Sequence, residues 1–315
     1  MKHRSVLVSG GAGFIGSHLV HRLVREGARV RVLDNLSTGS VANLSGLESR
    51  LDLQEGDIRN AVACRNACRG VEAVFHLAAF ISVPGSVKDP VTADAVNIGG
   101  TLNMLLAARD AGARRFVFSS SAAVYGDAEV VPTPETAPPT PLSPYGVEKL
   151  YGEHMCRLFT SLYGMEAVAL RYFNVFGPRQ NPRSEYAAVV PRFITLLLEG
   201  ARPVIFGDGA QTRDFLHVED VARANLLAAT RPDVAGLALN VAGGEATSVN
   251  AIYDAIARAA GVDLPPERGP ERPGDIKHSR ADTTHARERL GFVPERTVAR
   301  GLAETVAWYR AAASM

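Results

Sequence analysis

The sequence predicts an α/β protein built on a doubly wound parallel sheet, and three observations predict it. A strand, a glycine turn and a helix open the chain: Val6, Leu7 and Val8 lead into Gly10, Gly13 and Gly16, and residues 17–25 carry a helical apolar pattern. Further strand-like segments follow, each separated from the next by a helical pattern. Acidic, small or hydroxyl residues stand at the carboxyl ends of those strands, where a sheet of this kind binds its ligands.

The opening turn reads Gly-x-x-Gly-x-x-Gly with Phe14 and Ile15 inside it. Glycine permits a tight turn, lets the backbone approach a pyrophosphate, and lets the helix pack close to the strand. The free N–H groups and positive dipole end of the helix then face the phosphates. A structural turn without a ligand is the competing reading.

Residues 28–33 form a second strand that ends in Asp34-Asn35-Leu36-Ser37-Thr38-Gly39. An acidic residue here, about 20 positions past the glycine turn, suits the adenosine ribose hydroxyls and repels a 2′-phosphate, which selects NAD over NADP. A third strand over 51–54 precedes Asp57, placed either to meet the adenine amino group or to cap the helix that follows. Residues 71–77 form a fourth strand running into Ala78 and Ala79, small enough for a cofactor to lie against the backbone. His76 within it reads as a packed strand histidine in preference to a base. A helix over 94–111 and a fifth strand over 115–121, ending in three serines, complete a Rossmann-like half.

Composition narrows the function. The 315 residues are 46% hydrophobic and 21% charged, and 34 basic against 33 acidic residues leave a formal charge of +1. That balance supplies no electrostatic pull toward nucleic acid or an anionic membrane. Cys64, Cys68 and Cys156 match neither a disulfide framework nor a metal site and read as buried thiols. Without a leader-like or spanning segment, the expected location is the cytoplasm.

Residues 131–144 hold six prolines and predict an extended loop, either an interdomain linker or a stiff lead into the next helix. That helix carries Tyr145 and Lys149, four apart and therefore on one face. The chain has only four lysines, so one at this spacing from a tyrosine stands out. A nearby ammonium favours the phenolate and is expected to lower the tyrosine pKa, making it a general base. A serine hydroxyl can bond the same substrate oxygen, and a nicotinamide beside them suits removal of a proton from a carbinol as its hydride leaves.

These residues resemble those of the extended short-chain dehydrogenase/reductases, and within them the nucleotide-sugar 4-epimerases of the UDP-glucose and UDP-N-acetylglucosamine type. The resemblance runs along nearly the whole chain through GGAGFIGSH, DNLSTG, GDIR, HLAA, NIGGT, FSSSAAVYG, YGVEK, RYFNVFGPRQ, TRDFLHVEDVA, NVAGG and RPGD. It implies Ser121, Tyr145 and Lys149 as the catalytic set and a mechanism in which Tyr145 takes the proton of the sugar O4, C4 passes its hydride to NAD, and the 4-keto sugar turns over before the hydride returns. The implied NAD contacts are Gly10, Gly13, Phe14, Ile15 and Gly16 in the turn, then Asp34, Asn35, Ser37, Thr38 and Gly39. Asp57, Ile58, Leu77, Ala78, Ala79 and Asn97 follow, with Ser119, Tyr145, Lys149 and Tyr172 near the nicotinamide. The implied UDP-sugar contacts are Ser121, Asn174, Ala188, Val189, Arg213, Arg272, Asp275 and Ser279, the arginines meeting diphosphate as guanidinium forks. No metal is implied.

Ser279 stands where epimerases confined to UDP-glucose and UDP-galactose carry a tyrosine, so the resemblance implies that N-acetylated UDP-sugars fit too. It also implies an NAD domain over 1–173, a smaller discontinuous α/β UDP-sugar domain mainly over 174–315 with the stretch 214–242 returning to the first, and a homodimer formed through helices 97–111 and 145–162. Nucleotide-sugar 4,6-dehydratases carry Thr-Asp-Glu where this chain has Ser121-Ala122-Ala123, which removes the acid and base that dehydration needs. A UDP-glucuronate 4-epimerase or decarboxylase stays open through Arg179 or Arg183, as does a noncatalytic NAD-binding regulator.

Overall fold

A computed structural model describes residues 1–182, 188–271 and 276–313 of the chain. The strands are β1 (Ser5–Ser9), β2 (Arg29–Asp34), β3 (Leu51–Glu55), β4 (Ala73–His76), β5 (Arg115–Ser121), β6 (Glu166–Tyr172), β7 (Asn174–Phe176), β8 (Val204–Phe206), β9 (Thr212–His217), β10 (Ala238–Val241), β11 (Ala246–Ser248) and β12 (Glu267–Gly269). The α-helices are α1 (Phe14–Arg25), α2 (Ala61–Cys68), α3 (Val83–Lys88), α4 (Pro90–Asp94), α5 (Thr101–Asp110), α6 (Pro144–Tyr163), α7 (Val189–Leu198), α8 (Val218–Thr230), α9 (Val249–Ala260) and α10 (Val298–Ala313).

Seven strands pair in parallel in the order β10-β6-β5-β4-β1-β2-β3. A parallel strand covered on both faces must be apolar throughout, which is why Val6, Leu7 and Val8 are all fully buried. The alternation of a strand sends Val6 and Val8 into the core beneath α1 and α8, and Leu7 into the core beneath α2, α5 and α6. Strand order reverses direction between β1 and β4, and a crevice at such a point is where these sheets take ligands.

The chain leaves this sheet at β7. There β7 pairs with β9 and β9 with β11, while β8 pairs with β12. The helices α7, α9 and α10 pack over this part around Phe176, Phe193, Ile194, Ile252, Ile256 and Leu302. Large apolar side chains of this kind contribute about 1.5–3 kcal/mol each on full burial. Within the stretch expected to return to the main sheet, α8 lies on α1 and β10 pairs with β6. The strand β9 does not return, because its edges are taken by β7 and β11.

One local departure from the sequence expectation, and one buried ion pair, bear on the site. The helix expected over 94–111 is interrupted by a π-helical turn at Ala95–Gly100, between α4 and α5. The fully buried Arg171–Glu153 pair also ties β6 to α6, with the guanidinium donating to both carboxylate oxygens at 2.9 and 2.7 Å and to the Tyr125 hydroxyl at 2.7 Å. Losing one partner of such a pair strands a buried charge and costs about 3–5 kcal/mol.

Candidate active site

The carboxyl ends of β1, β2, β4, β5 and β6 line one crevice. At its floor Gly10 has φ +73°, and a Cβ there would lie 2.6 Å from the Ala78 backbone nitrogen. A Cβ on Gly16 would lie 2.0 Å from the Gly10 carbonyl. Both positions therefore demand glycine. Gly13 caps α1 without a side-chain hydrogen bond, which leaves the amides of the helix N-terminus free of any side-chain acceptor. Phe14 and Ile15 beside it are half-buried. A cradle of this shape, open at Gly13 and rimmed by N–H groups, fits a pyrophosphate.

Asp34 is buried at the end of β2, where its carboxylate accepts from the amides of Ala12 and Leu36, both at 2.9 Å. Gly39 folds back against it, and a Cβ there would lie 3.1 Å from the Asp34 Oδ1. Asn35, Ser37 and Thr38 form the exposed rim. Asn35 donates to Asp57 at 2.9 Å and accepts from the Ser37 hydroxyl at 2.7 Å. Arg59 hydrogen-bonds Asp57 and holds its carboxyl well below the usual range. The cap of α2 is Asn60, not Asp57. Ile58 is buried beneath the rim against Gly100, its carbonyl accepting from Asn103.

On the opposite wall Leu77, Ala78 and Ala79 are half-buried and run past Gly10. His76 beneath them is packed between the hydroxyls of Ser9 (2.7 Å) and Thr101 (3.0 Å), and burial lowers it to about 3. Asn97 in the π turn grips Phe80, accepting from its amide at 2.8 Å and donating to its carbonyl at 2.9 Å. It acts on this wall from behind.

The helix α6 brings the third wall. Ser143 caps it and accepts from the Gly146 amide, Pro144 starts it, and Gly152 lets it approach β5, since a Cβ there would lie 2.2 Å from the Phe118 ring. Lys149 is thereby buried with its ammonium donating to the Ser119 carbonyl at 2.8 Å, 5.7 Å from the centre of the Tyr145 ring. The Ser121 hydroxyl, which accepts from the Ala123 amide, hydrogen-bonds the Tyr145 phenol. Tyr172 closes the base, its buried hydroxyl donating to Asn225 at 2.9 Å beside Ser119.

The three side chains meet as the spacing predicts, but the expected lowering of the tyrosine pKa does not appear. Burial pushes Tyr145 up to about 12 against the hydrogen bond of Ser121, and the Glu148 charge adds to the rise. Burial likewise pulls Lys149 down to about 8, opposed by Glu148. The reason is desolvation: a site this dry penalises both charged forms.

A cleft of about 470 Å³ opens among β7, α7, β8 and β9. Asn174, Ala188, Val189 and Arg213 line it, together with Phe206, Gln211, Arg192 and Phe193, which sequence reasoning missed. Arg192 and Phe193 stand in the same SEYAAVVPRFI segment as Ala188 and Val189, and Phe206 and Gln211 flank the GDGA stretch before TRDF. Ser279 lies in a second, smaller recess with Ala122, Tyr125 and His278, and Phe173 lines both spaces. Arg272 and Asp275 lie outside the described residues, as does Arg183. Arg179 is turned onto the His18 ring and the Asn43 carbonyl beside α1.

Asp214 was also missed. Fully buried next to Arg213, it accepts from the amides of Gly243 (2.6 Å), Gly244 (3.1 Å) and Ala281 (3.1 Å), and burial raises it to about 6. It pins the segment that carries Ser279. Among the described residues no group of His, Cys, Asp and Glu is arranged to hold a metal, and no helix is long and apolar enough to cross a membrane.

Residues 6–242 match the NAD dependent epimerase/dehydratase family. The chain is 42% identical to the UDP-glucose 4-epimerase of Mycolicibacterium smegmatis, over 96% of this chain and 98% of that protein. Among solved structures it is similar to UDP-N-acetylglucosamine 4-epimerase from Methanobrevibacter ruminantium in complex with UDP-N-acetylmuramic acid, with a TM-score of 0.95, 40% identity, and 99% and 100% of the two chains covered. It is similar also to Thermus thermophilus UDP-glucose 4-epimerase in complex with NAD, with a TM-score of 0.89, 38% identity, and 98% and 99% covered.

Proposed function

The chain belongs to the NAD dependent epimerase/dehydratase family, and on that premise we propose that it inverts C4 of UDP-hexoses through a 4-keto intermediate. The observation that carries this reading is the dry set of Ser121, Tyr145 and Lys149 at the carboxyl end of β5. NAD, when bound, supplies the acceptor of the C4 hydride and returns it. Tyr145, steadied by Ser121, acts as the phenolate, which takes the O4 proton and gives it back, and the Lys149 ammonium offsets the phenolate charge before the proton arrives and again once it is returned. No net redox change results, so the turn at Gly10, Gly13 and Gly16 has to retain its cofactor.

In this reading Arg213 and Arg272 grip the diphosphate, Asn174 supports it, Ala188 and Val189 hold the uracil, and Asp275 takes the ribose. UDP is gripped and the hexose left free to turn. Ala122 and Ala123, with neither acid nor base, support epimerisation over dehydration. The small Ser279 side chain, where epimerases confined to UDP-glucose and UDP-galactose carry a tyrosine, supports acceptance of UDP-N-acetylglucosamine and UDP-N-acetylgalactosamine beside UDP-glucose and UDP-galactose. Arg179, engaged with His18 and Asn43, gives the glucuronate reading no support. We place the enzyme in the cytoplasm as a homodimer joined through α5 and α6.

The test is a panel of these four UDP-sugars and UDP-glucuronate, scored for C4 inversion by NMR with the purified protein. All four neutral sugars are expected to invert. Inversion or decarboxylation of UDP-glucuronate alone would overturn the neutral-sugar reading, and bound NAD without any turnover would leave the regulator.

A further inference from the structure

Glu148 lies on α6 between Tyr145 and Lys149, yet only 3% of it is exposed. One carboxylate oxygen accepts from Asn97 Nδ2 at 2.6 Å; the other is buried and has no hydrogen-bond partner among the described residues. A half-satisfied carboxylate in a dry place is costly, and its retention calls for a gain elsewhere. Two gains are visible. Asn97 uses its remaining bonds to hold the amide and carbonyl of Phe80, so Glu148 joins α6 through the π turn to the wall that runs past Gly10. The same carboxylate is the charge that opposes desolvation of Lys149.

The geometry points to Glu148 as a positioning residue, which fastens the catalytic helix to the wall of the dinucleotide crevice and serves as the counter-charge of Lys149. The groups around the pair are few. Asp94 on α4 opposes ionisation of Glu148, and Lys149 favours it. His76 on β4 is neutral and faces Lys149, and Tyr145 and the Ser119 carbonyl complete its surroundings. Among the described residues, Glu148 is therefore the carboxylate that sustains the Lys149 ammonium. This rests on the epimerase reading for the role of Tyr145 and Lys149, but the link itself can be measured without turnover.

The chain's four lysines make the measurement tractable: with 13C at the lysine ε carbons, each gives one signal, and Lys149→Met identifies the buried one. Glu148→Gln keeps an amide oxygen for Asn97 and removes the charge. Its Lys149 transition is expected about one pH unit below that of the parent, with the alkaline limb of kcat following and the retained NAD unchanged. Glu148→Ala also removes the Asn97 acceptor, and NAD is expected to leave about tenfold faster. An unmoved Lys149 transition in Glu148→Gln, or parental NAD retention in a folded Glu148→Ala, overturns the proposal. Should Glu148→Ala fail to fold, the glutamine variant decides. Failure of the parent to invert any UDP-sugar would overturn the epimerase reading and leave these two readouts standing.

Discussion

Gly13 separates folding from cofactor binding. An alanine there has φ −75° available, and its Cβ would meet only the Gly10 carbonyl, at 3.2 Å. The entropy gained from the unfolded chain and the small loss at a helix cap nearly cancel, so stability should change by no more than about 1 kcal/mol. The same methyl fills the cradle in front of the α1 amides. A phosphate held there by charged hydrogen bonds, each contributing about 1.5–3 kcal/mol, would lose one or two of them. A loss of about 3 kcal/mol weakens NAD binding about 100-fold. Gly16→Ala is the contrasting case, since a Cβ 2.0 Å from the Gly10 carbonyl forces the turn apart and should cost about 3 kcal/mol of stability. Thermal unfolding of the stripped protein and NAD titration by calorimetry read the two effects separately. Parental NAD affinity in Gly13→Ala would refute the placement of the pyrophosphate at this turn.

Ser279→Tyr should close the smaller recess, abolishing turnover of UDP-N-acetylgalactosamine while sparing UDP-galactose; equal retention of both would remove Ser279 as the selector. Asp214→Asn presents an NH2 group to one of three backbone donors, so KM for the UDP-sugar should rise about tenfold with NAD content unchanged. In the parent, KM should climb as pH falls through about 6, where this carboxyl gains its proton. Stability runs the other way. Because burial raises Asp214 from 3.8 to about 6, its contribution is fully present below about pH 4 and is lost as pH rises through about 6. The asparagine variant should flatten that slope of Tm against pH.

The parts of the fold that local rules govern were legible: the glycine turn, the apolar strands, the acidic end of β2 and the one-turn spacing of Tyr145 and Lys149. So was the packed role of His76. Partners distant in the chain were not. TRDFLH reads as a strand wherever it pairs, and only β7 and β11 decide that it leaves the main sheet. The π turn is shaped by what Asn97 binds, and nothing in its own sequence announces that. Glu148, Glu153, Arg171 and Asp214 look like ordinary surface charges in the sequence, and burial alone changes their meaning. The same burial reversed the expected pKa of Tyr145, because a spacing rule contains attraction between neighbours and no desolvation.

The central claim is that the hydrogen on C4 leaves and returns within one closed site. UDP-galactose incubated with the enzyme in D2O tests it directly, with the product read by mass and proton NMR. Inverted product with its C4 hydrogen undiluted by deuterium is predicted, since the hydride never meets water. Deuterium at C4 would mean inversion by proton exchange with solvent, and would contradict the account.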